Sequence, residues 1–389
     1  TKNSKWPKKG RVNESEVDPS VTVEFPQLDT TSKVKIIQET VKKRPDEKTV
    51  SSARVKENPQ LPTGATKHCG RADDCVGNQN SELPSRPQSS LRKAYKTTFS
   101  GSLTKSTDLE YIDIDLDLKD PQLCSVYAPD IYNNLRTAEL SNRPCTNFME
   151  TIQRDITQSM RGILVDWLVE VSEEYQLVVD TLYLTVHLVD CFLSQNYIER
   201  RRLQLLGITC MLIASKYEEI CAPRVEEFCF ITDNTYTREE VSKMETEVLR
   251  YFGFQVCAPT PKKFLRRFLR AAQASYKIPS LELEYLANYL AELALIDYQF
   301  LKFLPSIIAA SAVFVARWTL DQSSHPWNPT LEHYTTYKAS ELKTSVLALQ
   351  DLQLNVNGCP LNAVRMKYRQ LKFKSVATLS SQKLLDTLF

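Results

Sequence analysis

Between residues 130 and 355 one order of five helix-length apolar segments occurs twice, and this repetition constrains the fold most. In the first set, Met160, Ile163, Leu164, Trp167, Leu168, Val171 and Tyr175 recur at helical spacing, and Val165 and Val169 widen the apolar arc. So broad an arc predicts a helix over 160–175 that is wrapped by others. Asp155 and Thr157 or Ser159 offer N-cap oxygens ahead of it. Further helices read over 181–194, 200–217, 225–231 and 237–251. The sequence Ala258-Pro259-Thr260-Pro261 breaks the pattern. A second set follows over 261–275, 281–298, 304–320, 331–337 and 339–355. The middle helix of each set is richest in small residues, Gly207, Ala214 and Ser215 in one and Ala309, Ala310, Ser311, Ala312 and Ala316 in the other. Small residues let neighbours pack closely around a central helix. An all-α fold built from a duplicated five-helix unit, with short connections, is the expectation. One more helix, over 130–140, precedes the first set, with Ile131, Leu135 and Ala138 on one face.

The chain ahead of this body reads differently. Eight of the 19 prolines fall in the first 90 residues, where only Trp6 and Phe25 supply aromatic rings. Such a segment buries too little apolar surface to offset its conformational entropy, which predicts a disordered N-terminal tail over 1–124. The tail carries two basic clusters, Lys8-Lys9-Gly10-Arg11 and Lys42-Lys43-Arg44-Pro45, readable either as nuclear import signals or as solvated charge runs. Residues 108–120 alternate apolar Ile112, Ile114, Leu116 and Leu118 with Asp113, Asp115 and Asp117. Alternation suggests a strand, but no pairing partner lies nearby, so a linker is expected. The first residue is Thr1 rather than Met, which predicts a missing N-terminal piece.

Charge is nearly balanced at 49 basic and 47 acidic residues, a net of +2, which gives no electrostatic case for nucleic-acid or membrane binding. No run approaches the ~18 apolar residues of a membrane span, and no signal-peptide pattern opens the chain. A soluble, intracellular protein is expected. Of the 10 cysteines, Cys191, Cys210 and Cys229 sit in apolar helical stretches, and none forms a C-x-x-C pair. This argues against a disulfide framework or a zinc site. The nine glycines never cluster into a phosphate loop, and the four histidines form no catalytic motif. The carboxylate pairs Glu173-Glu174 and Glu218-Glu219 are adjacent rather than convergent. The expectation is a non-enzyme with no catalytic residues, no metal and no cofactor.

At Met160 the sequence becomes more specific. The string Met160-Arg161-Gly162-Ile163-Leu164-Val165-Asp166-Trp167-Leu168-Val169-Glu170-Val171 resembles the opening helix of a cyclin box, closest to the M-R-x-I-L-x-D-W-L-x-E-V of A-type cyclins. Leu203-Gln204-Leu205-Leu206-Gly207, Leu212-Ile213-Ala214-Ser215-Lys216-Tyr217-Glu218-Glu219-Ile220 and Ile231-Thr232-Asp233-Asn234-Thr235-Tyr236-Thr237 continue the likeness. So do Met244-Glu245 and Val248-Leu249, and the wording of these motifs is similar to that of plant A-type cyclins. The likeness covers roughly residues 125–385. It implies tandem five-helix cyclin boxes, over 125–257 and 258–389.

The resemblance implies a regulatory subunit that binds and activates a PSTAIRE-type cyclin-dependent kinase, acting in the nucleus from S phase to G2/M. It also implies R-x-L-containing substrates and inhibitors as partners, and a ubiquitin ligase for degradation. Carried over to the kinase face are Lys216 and Glu245 as a bridging ion pair, with Ile213, Tyr217, Leu249, Phe254 and Val256 as an apolar bed and Glu218 for charged contacts. A substrate-docking groove maps to Met160, Ile163, Leu164, Trp167 and Gln204, rimmed by Glu170, Arg200, Ile231 and Asp233. Met160, Ile163 and Trp167 form one stripe that could stay exposed, while for Leu164 and Leu168 core packing competes with a groove role.

Several residues depart from the family pattern. Cys191 stands where Arg is usual, Gly162 where Ala is commoner, and the tail lacks an R-x-x-L destruction box. Thr260-Pro261-Lys262-Lys263 resembles a proline-directed phosphorylation site, but Thr as N-cap and Pro as first helical residue is the better reading. Two other functions stay open. One is a transcription factor resembling the general initiation factor of the B class, with Arg266, Arg267 and Arg270 as its only short basic face. The other is a helical scaffold with no kinase partner.

Overall fold

Close packing on small residues decides which helices sit at the centre. The computed structural model describes residues 111–116, 120–141, 143–355 and 360–389, and all its regular elements are helical. Helix α1 (Ala128–Ser141) and a single turn, α2 (Phe148–Thr151), come first. The first set comprises α3 (Gln158–Glu174), α4 (Val179–Leu193), α5 (Leu203–Glu218), α6 (Val225–Phe230) and α7 (Arg238–Tyr251). The second comprises α8 (Pro261–Ala272), α9 (Leu281–Ile296), α10 (Pro305–Leu320), α11 (Pro329–Thr335) and α12 (Ala339–Leu354), and α13 (Ala363–Arg369) follows. Helix α5 touches α3, α4, α6 and α7, and α10 touches α8, α9 and α12. Every residue from Leu203 to Ser215 is buried, as are Ala309, Ala310, Ala312 and Ala316. The duplicated unit read from the sequence is therefore present.

Local chemistry sets the helix ends. Thr157 Oγ1 accepts the Met160 N–H at 3.3 Å and starts α3. Thr237 and Glu240 cap α7 reciprocally, at 3.2 and 2.8 Å. Three expected helices are shorter. Residues 200–202 form a 3-10 turn before α5, α8 stops at Ala272, and α9 stops at Ile296. In the last case Asp297 Oδ1 accepts the Gln299 N–H at 2.9 Å and opens a separate 3-10 turn. Helices α2 and α13 were not expected. Both are short, and α13 is held by tertiary bonds rather than by its own periodicity.

The expectations for residues 1–110 fall outside the described residues. The folded body nevertheless begins ahead of residue 124. Ile114 is buried, and Asp115 accepts two bonds from Arg267, at 2.6 and 2.9 Å. The Arg267 guanidinium also lies over the rings of Tyr132 and Tyr334, at 4.8 and 4.9 Å. Part of the stretch expected to be a linker is thus a strap on the second set. Helix α1 packs there too. Glu139, 1% exposed, accepts Ser306 N–H and O–H at 2.9 and 2.7 Å and so caps α10.

The two sets meet along a seam of buried polar bonds. Arg161 on α3 donates to both oxygens of Asp190 on α4, at 2.6 and 2.7 Å. Its Nη1 reaches the carbonyls of Leu295 and Ile296 at the end of α9, at 2.9 and 3.1 Å. Asp166 accepts the Ala363 N–H at 2.8 Å and fixes the start of α13. Lys367 on α13 pairs with Glu292 on α9 at 3.0 Å and with Glu173 on α3 at 3.3 Å.

Two glycines on facing helices should respond oppositely to alanine. At Gly207 a Cβ would lie 2.8 Å from Leu164 Cδ1, and Leu164 is wholly buried. Gly207→Ala is expected to cost about 1–3 kcal/mol. At Gly162 the Cβ would meet Leu361 Cδ1, the end of a partly exposed side chain, at 3.0 Å. Gly162→Ala is expected to gain up to ~1 kcal/mol of helix propensity. Urea melts of the two variants check the order.

His187 on α4 gives a pH dependence. Burial first, and Lys263 second, lower its pKa from 6.5 to about 4. Its ring also faces Cys191 on its own helix, and Arg143, Arg161 and Asp190 line the same cavity. The unfolded chain takes up a proton between pH 6.5 and 4 that the folded chain refuses. This contribution is present above pH 6.5 and is lost as pH falls, by up to ~3 kcal/mol at pH 4. His187→Asn should flatten that part of the stability profile.

Candidate protein-docking sites

The first site forms where α5 leaves the core. Ile213 and Ser215 are buried, whereas Lys216 and Tyr217 turn outward. Helix α7 runs alongside with Val241, Met244 and Val248 inward, which leaves Glu245 and Leu249 at the margin of its buried stripe. Lys216 Nζ donates to Glu245 Oε1 at 2.6 Å. The lysine side chain is 53% exposed and the glutamate 18%, so the pair positions its two helices' ends more than it stabilises them. Burial raises the pKa of Glu218, and Lys263 at 4.0 Å opposes that shift.

The chain then leaves α7 through two left-handed residues, Gly253 at φ 55° and Phe254 at φ 63°. Their N–H groups donate to Arg250 O and Leu249 O, at 3.1 and 3.0 Å, and close the helix end. A phenylalanine at positive φ is strained, and this one is also 71% exposed. Phe254, Val256 and Tyr217 border a shallow depression floored by α4. Of the residues expected on this face, Ile213 is 4% exposed and supports the patch from beneath rather than lining it. The sequence reading missed His187 and Cys191, which line the depression from α4, Gln195 just past the end of that helix, and Tyr251. The spacing of four between His187 and Cys191 on α4 was the available signal. Cys191 puts no charge in the floor; its thiol lies 3.4 Å from His187 Nε2.

The second site lies along α3 and the start of α5, and it is more closed than the sequence suggested. Leu164 is fully buried against Gly207 and belongs to the core. Trp167, 1% exposed, and Met160, 8% exposed, are also buried, so the expected open stripe keeps only Ile163 partly accessible. The reason is that α3 packs against α5 on one side and against α9 and α13 on another. Gln204 is 3% exposed, and its Nε2 has no hydrogen-bond partner among the described residues. At the rim, Arg200 is engaged with Asp155, its N–H donating to Oδ2 at 2.8 Å. Ile231 and Glu170 are partly exposed, and Asp233 is exposed in the left-handed region at φ 53°. Tyr236 O–H ties this corner to Arg201 O at 2.8 Å.

The chain matches the family model described as Cyclin, N-terminal domain over residues 130–257, and that described as Cyclin, C-terminal domain over residues 259–382. It is 61% identical over 393 residues to Cyclin-A2-3 of Arabidopsis thaliana, covering all of this chain and 84% of that protein. With Cyclin-A2-4 of the same plant it shares 68% identity, covering 81% of this chain and 66% of the relative. With Cyclin-A2-1 of Oryza sativa subsp. japonica it also shares 68%, over 73% of this chain and 58% of the relative. Among solved structures, a viral cyclin from Herpesvirus saimiri superposes with a TM-score of 0.52 at 24% identity, over 57% of this chain and 95% of the other, a likeness of fold. Both helical sets are matched by the family's two domains in chain order, and the identity extends over the whole chain; the protein belongs to the cyclins, regulators of the cell cycle, and is similar throughout to the A-type cyclins of plants.

Proposed function

We propose that the protein is the non-catalytic subunit of a cyclin-dependent kinase, and that it activates the kinase through the face around Lys216 and Glu245. The observation that carries this reading is the 2.6 Å bridge between α5 and α7 beside an exposed, strained Phe254. An exposed aromatic held at a backbone cost suits a partner surface better than a solvent-facing one. Gripping the kinase's regulatory helix in its inward position completes the Lys–Glu pair over ATP and favours an ordered activation loop. The subunit then acts by binding the active conformation more tightly than the inactive one. A nuclear role between S phase and G2/M, and turnover through a ubiquitin ligase, belong to the same proposal. The DNA-binding alternative loses ground because Arg266 is bonded to Asp180 and Arg267 to Asp115.

The test mixes the full chain with an activation-loop-phosphorylated PSTAIRE-type kinase and a simple peptide substrate. Lys216→Ala and Glu245→Ala are each expected to lower activation about tenfold or more. Phe254→Gly is expected to weaken activation while raising stability by up to ~1 kcal/mol, since it removes both the ring and the strain. Failure of the unaltered chain to activate the kinase would sink the proposal.

The second site is proposed to dock R-x-L peptides. Ile163 contributes the accessible apolar surface, the buried Gln204 amide supplies a donor to the peptide, and Glu170 and Asp233 meet its basic residue. Gln204→Leu is expected to weaken binding of a labelled R-x-L peptide about three- to tenfold without lowering the melting temperature. Unchanged affinity in that variant would remove the docking role from this site.

A further inference from the structure

The R-x-L pattern read as the ligand of the second site occurs three times in this chain, at Arg201-Arg202-Leu203, Arg267-Phe268-Leu269 and Arg369-Gln370-Leu371. The first two leucines belong to the core, at 2% and 6% exposed, and present nothing to a partner. Leu371 is 89% exposed, and Arg369, Gln370 and Lys372 on either side of it are exposed as well.

The fold holds this segment out on a rigid base. Arg369 ends α13, Gln370 is extended at φ −66° and ψ 146°, and Leu371–Phe373 form a 3-10 turn. The N–H groups of Lys374 and Ser375 donate to Leu371 O and Gln370 O, at 2.8 and 3.2 Å, and both residues take a left-handed φ of 52°. Two successive side chains in that region carry a backbone cost. Beneath the turn the Phe373 ring packs on Tyr368 and Tyr285, with centroids 4.8 and 5.6 Å apart, and Lys372 donates to Glu173 on α3 at 3.0 Å. A leucine fixed in water by this much structure is an apolar contact already ordered for binding.

Charge points the same way. Among the described residues Arg369 donates to the Met366 sulfur at 3.9 Å and pairs with no carboxylate. The rim of the second site carries Glu170 and the exposed Asp233. Glu170 and Glu173 stand three residues apart on α3, so the acidic rim and the anchor of the turn share one helix face. Two copies meeting across that face exchange both contacts at once, as a two-fold dimer requires.

We propose that Arg369-Gln370-Leu371 of one copy docks in the second site of another, with Leu371 against Ile163 and Arg369 beside Glu170 and Asp233. The free chain then pairs with itself and covers its own substrate groove. This rests on the R-x-L reading of that groove and adds its regulation: self-pairing and peptide docking compete.

Sedimentation equilibrium of the full chain is expected to show the mean mass rising with concentration from one chain towards two. Excess R-x-L peptide is expected to return it to one. Leu371→Ser is expected to weaken self-association about tenfold or more, because it withdraws a leucine from the contact, and Arg369→Ala about threefold. Both side chains are exposed, so neither change should lower the melting temperature. Leu371→Ser should still bind labelled R-x-L peptide, and at high protein concentration more tightly than the unaltered chain. A chain that stays single while binding the peptide overturns this inference and leaves the docking reading standing. A chain that stays single and binds no peptide removes both. Self-association that persists in Leu371→Ser, or that the peptide does not reverse, places the contact elsewhere and overturns the inference.

Discussion

Arg161 is the point on which both halves of the molecule turn. Its side chain is 1% exposed, and four of its hydrogen bonds are spent on two separate purposes. Two go to Asp190, which joins α3 to α4 within the first box. The other two go to the last carbonyls of α9, which have no partner within their own helix. The negative end of the α9 dipole and the Asp190 carboxylate together surround the guanidinium. A buried pair adds little net stability, because desolvation offsets most of its attraction. What it adds is register: only one placement of α9 against α3 and α4 satisfies all four bonds.

The same logic repeats along the seam. Asp166, one turn beyond Arg161, holds the start of α13, and Lys367 on α13 returns to Glu292 and Glu173. Glu139 and Asp115 do the equivalent work for α1 and the strap ahead of it. Both proposed docking faces inherit their shape from these fixings. Met160 and Ile163 lie beside Arg161 on α3, and Cys191, in the floor of the depression bordered by Tyr217 and Phe254, follows Asp190 on α4. A change at the seam is therefore felt at both faces, although neither contains a seam residue.

The sequence revealed what periodicity and composition encode. The ten box helices, the small-residue centre of each set and the Thr157 cap follow from residue type and spacing. Lys216 on α5 and Glu245 on α7 came from the resemblance to the cyclin box rather than from spacing, and their side chains meet at 2.6 Å. What escaped depends on long-range bonds. Helix α13 has too few residues to show a period, and its start is set by Asp166, far away in the chain. The burial of Trp167 escaped for the same reason. One helix shows which residues share a stripe, but not that α9 and α13 come to lie beside it. The strap at Ile114 and Asp115 was read as linker because no pairing partner lies nearby in the chain, and the residue that holds it, Arg267, is 152 positions away.

Places where local rules are broken locate function better than places where they are kept. Phe254 accepts a positive φ that glycine would adopt freely, and it exposes a ring that the core could have used. The Gln204 amide nitrogen is buried without a hydrogen-bond partner among the described residues, as are the Tyr183, Thr209, Ser215 and Thr260 hydroxyls. Each such departure lowers the stability of the isolated chain, and the proposed partners would relieve two of them, a kinase helix against Phe254 and a peptide backbone at Gln204. A cyclin regulates through what it binds. Its function is therefore held in the few contacts that its own fold leaves incomplete.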